Sequence, residues 1–146
     1  MGLKVTTLRR KMQDRDAITR GDENIATPNE FVTMLKLLNA GRPSPWVAEK
    51  VLNILGKQKQ GTLNRGIPSG LVVANKPGSM ERVRCDAGIV YLPRRPYAIA
   101  VMTTFGTGDV LSQEQFITDT AKMVHETLNV LDKTNEYGLG MPTYTS

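Results

Sequence analysis

The chain has 146 residues, of which 40% are hydrophobic and 23% charged, and a formal net charge of +5. This composition excludes intrinsic disorder and gives enough chain for a packed domain. A single cysteine, Cys85, excludes an intrachain disulfide and any zinc-ligand spacing, and no apolar run approaches the roughly 20 residues of a membrane span.

The positive charge raises the prospect of an anionic partner. The basic residues are scattered, however: Arg9-Arg10-Lys11 is the one triplet, and Arg94-Arg95 the one later pair. The eight aromatic residues form no stacking platform, so no nucleic-acid partner is expected. Residues 1–11 contain no continuous apolar core of a signal peptide.

Residues 1–23 are polar and irregular and read as loop with at most a helical turn. Thr27-Pro28-Asn29-Glu30 is a helix start, with threonine as N-cap, proline at the first helical position and Glu30 placed to close a capping box. Phe31, Met34, Leu35 and Leu38 recur at helical spacing, and Gly41 ends the run. Ser44-Pro45 repeats the signal before a second stripe of Trp46, Val47, Val51, Ile54 and Leu55, closed by Gly56. Residues 57–70 read as a polar crossing loop.

Three apolar runs follow, at residues 71–75, 82–92 and 97–104, and their short connections predict an antiparallel meander. Ser112-Gln113-Glu114-Gln115 is a further capping box. It predicts a long amphipathic helix with Phe116, Ile117, Met123, Val124, Leu128 and Leu131 inward. The lone His125 reads as a surface or partly packed residue, and Cys85 as a small buried hydrophobe. The pattern helix, helix, three strands, helix is α+β. It divides at residues 1–60, a helical part with its N-terminal loop, and 61–146, an antiparallel sheet with a C-terminal helix.

The first strand leads into Lys76-Pro77-Gly78-Ser79. With Thr27-Pro28-Asn29-Glu30-Phe31 upstream and Leu63-Asn64-Arg65-Gly66-Ile67-Pro68-Ser69-Gly70 just before it, this run resembles the Lys-Thr-Gly strand of penicillin-recognising serine hydrolases. These are the class A β-lactamases and D-Ala-D-Ala peptidases. Pro77 stands where threonine is usual. The segments ending in Thr103-Thr104 and running from Ser112 to Leu131 resemble the family's penultimate strand and C-terminal helix.

That resemblance implies a partial β-lactamase/transpeptidase-like fold and the C-terminal half of an enzyme. The family's Ser-x-x-Lys and Ser-Asp-Asn motifs do not occur in these 146 residues. Nor does the Glu-x-x-Leu-Asn Ω-loop motif, whose glutamate is the deacylation base; Leu8-Arg9-Arg10-Lys11-Met12 differs from it.

The resemblance further implies roles for named residues. Lys76 is the catalytic candidate, an ammonium that favours a deprotonated nucleophile and attracts a substrate carboxylate. Gly78 allows close approach of substrate, and Ser79 offers its backbone N–H to an oxyanion. Pro77 removes a hydroxyl and an N–H from the substrate-binding strand. Arg84 and Asp86 share one face of the next strand. They read either as a carboxylate-recognising pair in the cleft or as a surface ion pair with each other. Arg65 reads as a packing or hinge residue.

No metal and no cofactor are expected. Two functions stand apart at this level: part of a serine hydrolase, inactive alone, and a non-catalytic binding or structural module that kept the fold. Complementation in trans by a separately encoded N-terminal half is a third. The parent of such a chain is expected to be secreted or in the cell envelope. A sheet lacking the strands its relatives carry is expected to expose an edge or an apolar face and to self-associate.

Overall fold

In the computed structural model, residues 2–57, 61–104, 109–135 and 139–140 are described. The sheet is the centre of the fold. Strands β1 (Val73–Met80), β2 (Val83–Val90) and β3 (Tyr97–Thr104) form an antiparallel meander in the order β1-β2-β3. The first strand does not stop at Asn75. It continues through Lys76 and Pro77 to Met80, with Pro77 opposite Asp86 and Gly78 opposite Cys85. Proline is tolerated there because β1 is an outer strand.

Helices cover both faces. On one side α2 (Pro28–Asn39) and α3 (Pro45–Gly56) place Phe31, Leu35, Leu52 and Leu55 against Ala87, Ile89, Ala98 and Ala100. On the other, α4 (Thr62–Arg65) and α5 (Val110–Asp132) place Leu63, Ile67, Ile117 and Ala121 against Val73, Val90, Ile99 and Val101. The pleat explains this division, since successive residues of each strand feed opposite cores. The expected bare sheet face is therefore covered, and what remains open is an edge.

The two helix starts form as their residues dictate. Thr27 Oγ1 accepts from the Glu30 N–H at 3.2 Å, and Ser44 Oγ accepts from the Val47 N–H at 3.3 Å. Gly41, at φ 78°, ends α2: its N–H bonds the Leu38 carbonyl while the Arg42 N–H bonds that of Leu37. Only a residue at ease in the left-handed region closes a helix this way.

Three local expectations are corrected. Trp46 and Ile54 are 68% and 66% exposed, because they lie well over 100° around α3 from buried Ala48. The cap of α5 is Asp109, whose Oδ1 accepts from the Ser112 N–H at 2.6 Å. Inside α5 the buried residues are Gln113, Ile117, Ala121, His125 and Asp132, while Phe116, Met123 and Leu131 face outward. His125 is thus a core residue, its Nδ1 lying 3.3 Å from the Tyr97 hydroxyl. The polar stretch 57–70 contains α4, with Leu63 wholly buried.

The N-terminal segment is a tied loop. It carries the short α1 (Arg15–Thr19), capped by Asp14. Arg10 reaches Glu23 through Nε at 3.0 Å and Nη2 at 2.6 Å, Asn24 Oδ1 accepts from the Arg9 and Arg10 N–H groups, and Thr7 bridges Ile25. The basic triplet is therefore not a free patch.

Glu30 does not turn back to its own cap. Its carboxylate accepts from the N–H groups of Lys4 (2.6 Å), Val5 (3.0 Å) and Thr6 (2.5 Å). The nearby Thr6 hydroxyl, though it completes no hydrogen bond of good geometry, and the amides of Val5, Lys4 and Thr6 lower its pKa from 4.5 to about 2. A depressed acid contributes stability above its unfolded value and loses it as pH falls. Residues 4–6 should therefore lose hydrogen-exchange protection as the pH drops from 4.5 toward about 2. Glu30→Gln should show low protection at both ends, and equal protection in the two proteins at neutral pH would refute the anchor.

Candidate functional site

Lys76, Pro77, Gly78 and Ser79 lie on the outer strand of the sheet, at the rim of two cavities. One, of about 550 Å³, is bounded by this run with Met12, Thr62, Arg65, Arg84 and Glu114. The other, of about 520 Å³, lies between β1 and the helices α2 and α3 and is lined by Phe31, Met34, Leu38, Val51 and Leu55. The structure thus brings the Lys76–Ser79 run together with Arg84 around the first cavity. Met12 reaches it from the tied N-terminal loop, a neighbour that local sequence does not reveal.

Lys76 is exposed and its Nζ donates to the Pro77 carbonyl at 2.6 Å. Gly78 has a close neighbour of its own: a Cβ there would lie 2.7 Å from Cys85 Sγ. The thiol is half-buried and 3.6 Å from the Gly78 carbonyl, and burial pushes its pKa up, which keeps it a neutral packing group.

Asp86 departs most from the sequence reading. It does not pair with Arg84, whose guanidinium instead donates to the carbonyls of Met80 and Val83 beside the β1–β2 turn. Asp86 is 1% exposed and lies beneath α4. It accepts from the Asn75 amide at 2.9 and 3.1 Å, from the Leu63 N–H at 3.0 Å and from the Thr62 hydroxyl at 3.3 Å. The alternation that puts Arg84 and Asp86 on one face puts both on the α5 side of the sheet, opposite Lys76. Asp86 is therefore walled off from the cavity.

What Asp86 does is start α4. The N-cap of that helix is Gly61, which has no side chain to offer, and a carboxylate from β2 takes the place of one. Gly61 is required by proximity, since a Cβ there would lie 2.0 Å from Asn75 Nδ2 and 2.6 Å from Asp86 Oδ2. Arg65, at the end of the same helix, pairs with Glu114 of α5 at 2.8 Å. No cluster of three metal-ligating acids, histidines or cysteines occurs among the described residues.

Burial raises the Asp86 carboxyl above its ordinary 3.8, opposed by the bonds from Leu63, Asn75 and Thr62. A raised acid is held more tightly protonated in the fold, so its contribution declines as pH rises through the folded value. Asp86→Ala should cost about 3 kcal/mol, because it strands the Asn75 amide and the first N–H groups of α4. Asp86→Asn should cost less and remove the pH dependence, its NH₂ supplying a donor for the unpartnered Asn75 Oδ1. Urea titrations across pH measure both.

Gly78→Ala should destabilise by about 1–2 kcal/mol through overpacking against Cys85. Cys85→Ala should recover much of that loss in the double variant, and additive losses would show that the two do not share space.

Residues 1–128 match the Beta-lactamase enzyme family. No curated protein matches the chain significantly. Among solved structures, it is similar to a β-lactamase from Sphaerobacter thermophilus, at 29% identity and a TM-score of 0.75, over 85% of this chain and 48% of that one. A class A β-lactamase from Bacteroides cellulosilyticus is similar at 26% identity and a TM-score of 0.73, over 88% of this chain and 50% of that one. PBP-A, also solved as an acyl-enzyme complex of a mutant with penicillin G, shares the fold at 24% identity and a TM-score of 0.73, over 85% of this chain and 46% of that one. The chain spans about half the length of these structures. By the family match over most of its length, the chain belongs to the Beta-lactamase enzyme family.

Proposed function

We propose that this chain supplies the substrate-facing strand of a serine acyl-transfer centre acting on β-lactam or peptidoglycan-like substrates. The observation that carries the reading is the cavity of about 550 Å³ rimmed by Lys76, Pro77, Gly78, Ser79 and Arg84 in a member of this family. Three cations, Lys76, Arg65 and Arg84, surround it, and Arg65 alone has a carboxylate partner in Glu114. Such a surround favours an anionic substrate group. The roles are Lys76 as the ammonium beside the nucleophile, Ser79 as a backbone donor and Arg84 as a carboxylate contact. Asp86 acts behind this wall as a support.

The nucleophile is not in this chain, so acylation requires a segment carrying Ser-x-x-Lys, joined to it or supplied in trans. Met12 meets the cavity from the loop, and the one carboxylate at the rim, Glu114, is engaged by Arg65. No group there is placed to activate water, which favours a long-lived acyl-enzyme over rapid hydrolysis. Peptidoglycan-like substrates would place such an activity outside the cytoplasmic membrane. The competing reading, a binding or structural module without chemistry, rests on the missing nucleophile alone.

Incubation with a fluorescent penicillin followed by intact-mass spectrometry separates these readings. The isolated chain should show no adduct, and a stoichiometric adduct on any of its serines would overturn the assignment of the nucleophile to another segment. A form carrying a Ser-x-x-Lys segment should acylate, and Lys76→Ala should slow it by about 100-fold or more, since a charge is lost where charge develops. Pro77→Thr should strengthen binding of carboxylate-bearing substrates by about 1 kcal/mol through one added hydrogen bond. Wild-type acylation by Lys76→Ala would make Lys76 a surface lysine and leave the module reading.

A further inference from the structure

Two features that the fold leaves open lie side by side. The first is the outer edge of β3, whose eight residues Tyr97–Thr104 contain no charge and no proline. Outer strands of monomers are usually blunted by such residues, because an open row of N–H and C=O groups recruits another strand. The other outer strand, β1, carries both Lys76 and Pro77. The β3 edge is unprotected.

The second is the flank of α5, which lies over β2 and β3. Its near flank meets α4, through Glu114 to Arg65 and the Thr118 hydroxyl to the Thr62 carbonyl at 3.2 Å. On the opposite flank Phe116, Thr120, Met123, Thr127 and Val130 recur at steps of four and three residues. This spacing makes a seam for a second helix lying alongside. Phe116, Met123 and Val130 are 54%, 62% and 63% exposed, and the seam contains no charge. Asp119, Lys122 and Glu126 fall on the solvent-facing arc instead.

We propose that this composite surface binds a second copy of the chain about a two-fold axis normal to the sheet, joining two β3 edges antiparallel into six continuous strands. The spacing suits it. Strands lie about 4.8 Å apart, so a helix centred between β2 and β3 sits about 5 Å from an axis running outside β3. The two copies of α5 are then about 10 Å apart, at the distance of packed helices.

The register suits it as well. α5 runs antiparallel to β3, from Gln113 near the Arg82 carbonyl to His125 beside Tyr97. The middle of β3, at Ala100 and Val101, therefore lies beneath the region of Thr120. About that centre Thr120 meets itself, a small residue that lets the helices approach. Phe116 meets Met123 of the second copy on either side, a sulfur–aromatic contact.

A strand edge and a helix flank at the required offset are both supplied by the same chain, which is what an isologous interface needs. Its footprint, roughly 27 Å by 20 Å, falls below the ~800 Å² per partner of a standard stable complex. A micromolar dimer follows. A foreign strand-and-helix unit is the competing occupant, and it would leave the isolated chain monomeric.

Sedimentation velocity across roughly 1 to 100 micromolar should show a reversible monomer–dimer equilibrium. Met123→Glu should weaken it by about 100-fold, since the change occurs on both sides of the axis, while circular dichroism stays that of the wild type. Ile54→Glu, at an equally exposed site on α3, should leave it unchanged. Thr120→Cys in a Cys85→Ser background should give a disulfide-linked dimer on mild oxidation. A monomer at all concentrations, a dimer indifferent to Met123→Glu, or no crosslink through Thr120→Cys would each overturn the proposal. None of these outcomes bears on the acyl-transfer reading, which is tested by acylation.

Discussion

The buried carboxylate of Asp86 ties together the parts that define the cleft. It comes from β2, holds the Asn75 amide of β1 one residue before Lys76, and receives the Thr62 hydroxyl and Leu63 N–H at the start of α4. A carboxylate taken out of water costs several kcal/mol unless its lone pairs are met, and here four hydrogen bonds meet them. The cost of burial is what makes the arrangement specific. Any shift of α4 along the sheet, or of β1 against β2, would strand a charge in the core. Gly61 and Gly88 keep the backbone close enough, since a Cβ on Gly88 would lie 2.5 Å from that of Asn75. The rim residues Lys76, Thr62 and Arg65 inherit their relative positions from this junction.

On the other side of the first cavity, positioning comes from the backbone of a loop. Residues 3–25 are closed by Glu30 on three amides, by Arg10 on Glu23 and by Asn24 on two further amides. Each of these anchors satisfies N–H groups that a loop would otherwise leave to water. Met12 is carried to the cavity by a segment with little apolar burial of its own, of which Ala17 is the buried residue in α1. The wall contributed by the sheet is rigid, and that contributed by the loop depends on electrostatic anchors that acid weakens.

The two open surfaces have different chemistry. The strand edge that faces the cavities carries a lysine, a proline and two small residues, which resist pairing with another strand and leave room for a ligand. The β3 edge has the composition of an interior strand, and the adjoining flank of α5 is uncharged. Functional and associative surfaces thus fall at opposite edges of one three-stranded sheet.

Much of this was legible in the residues. Thr27-Pro28 and Ser44-Pro45 start their helices, Gly41 ends α2, and the three strand runs form the antiparallel meander, because caps, left-handed turns and short connections depend on near neighbours. The Lys76–Ser79 run and the segments around it carried the family. Decisions made across the fold were not legible. Periodicity marked apolar residues on α3 and α5 without telling which arc meets the sheet, so Trp46, Ile54, Phe116 and Met123 emerged exposed and His125 buried. Glu30 looked like a capping-box residue until a strand of loop backbone offered better donors. Asp86 looked like the partner of Arg84 because alternation puts them on one face, but whether that face meets water or a helix N-terminus is settled by what packs on it. Sequence fixes which local conformations are cheap; only tertiary packing decides which polar groups lose water, and a group that loses water must take whatever partner the fold has brought within reach.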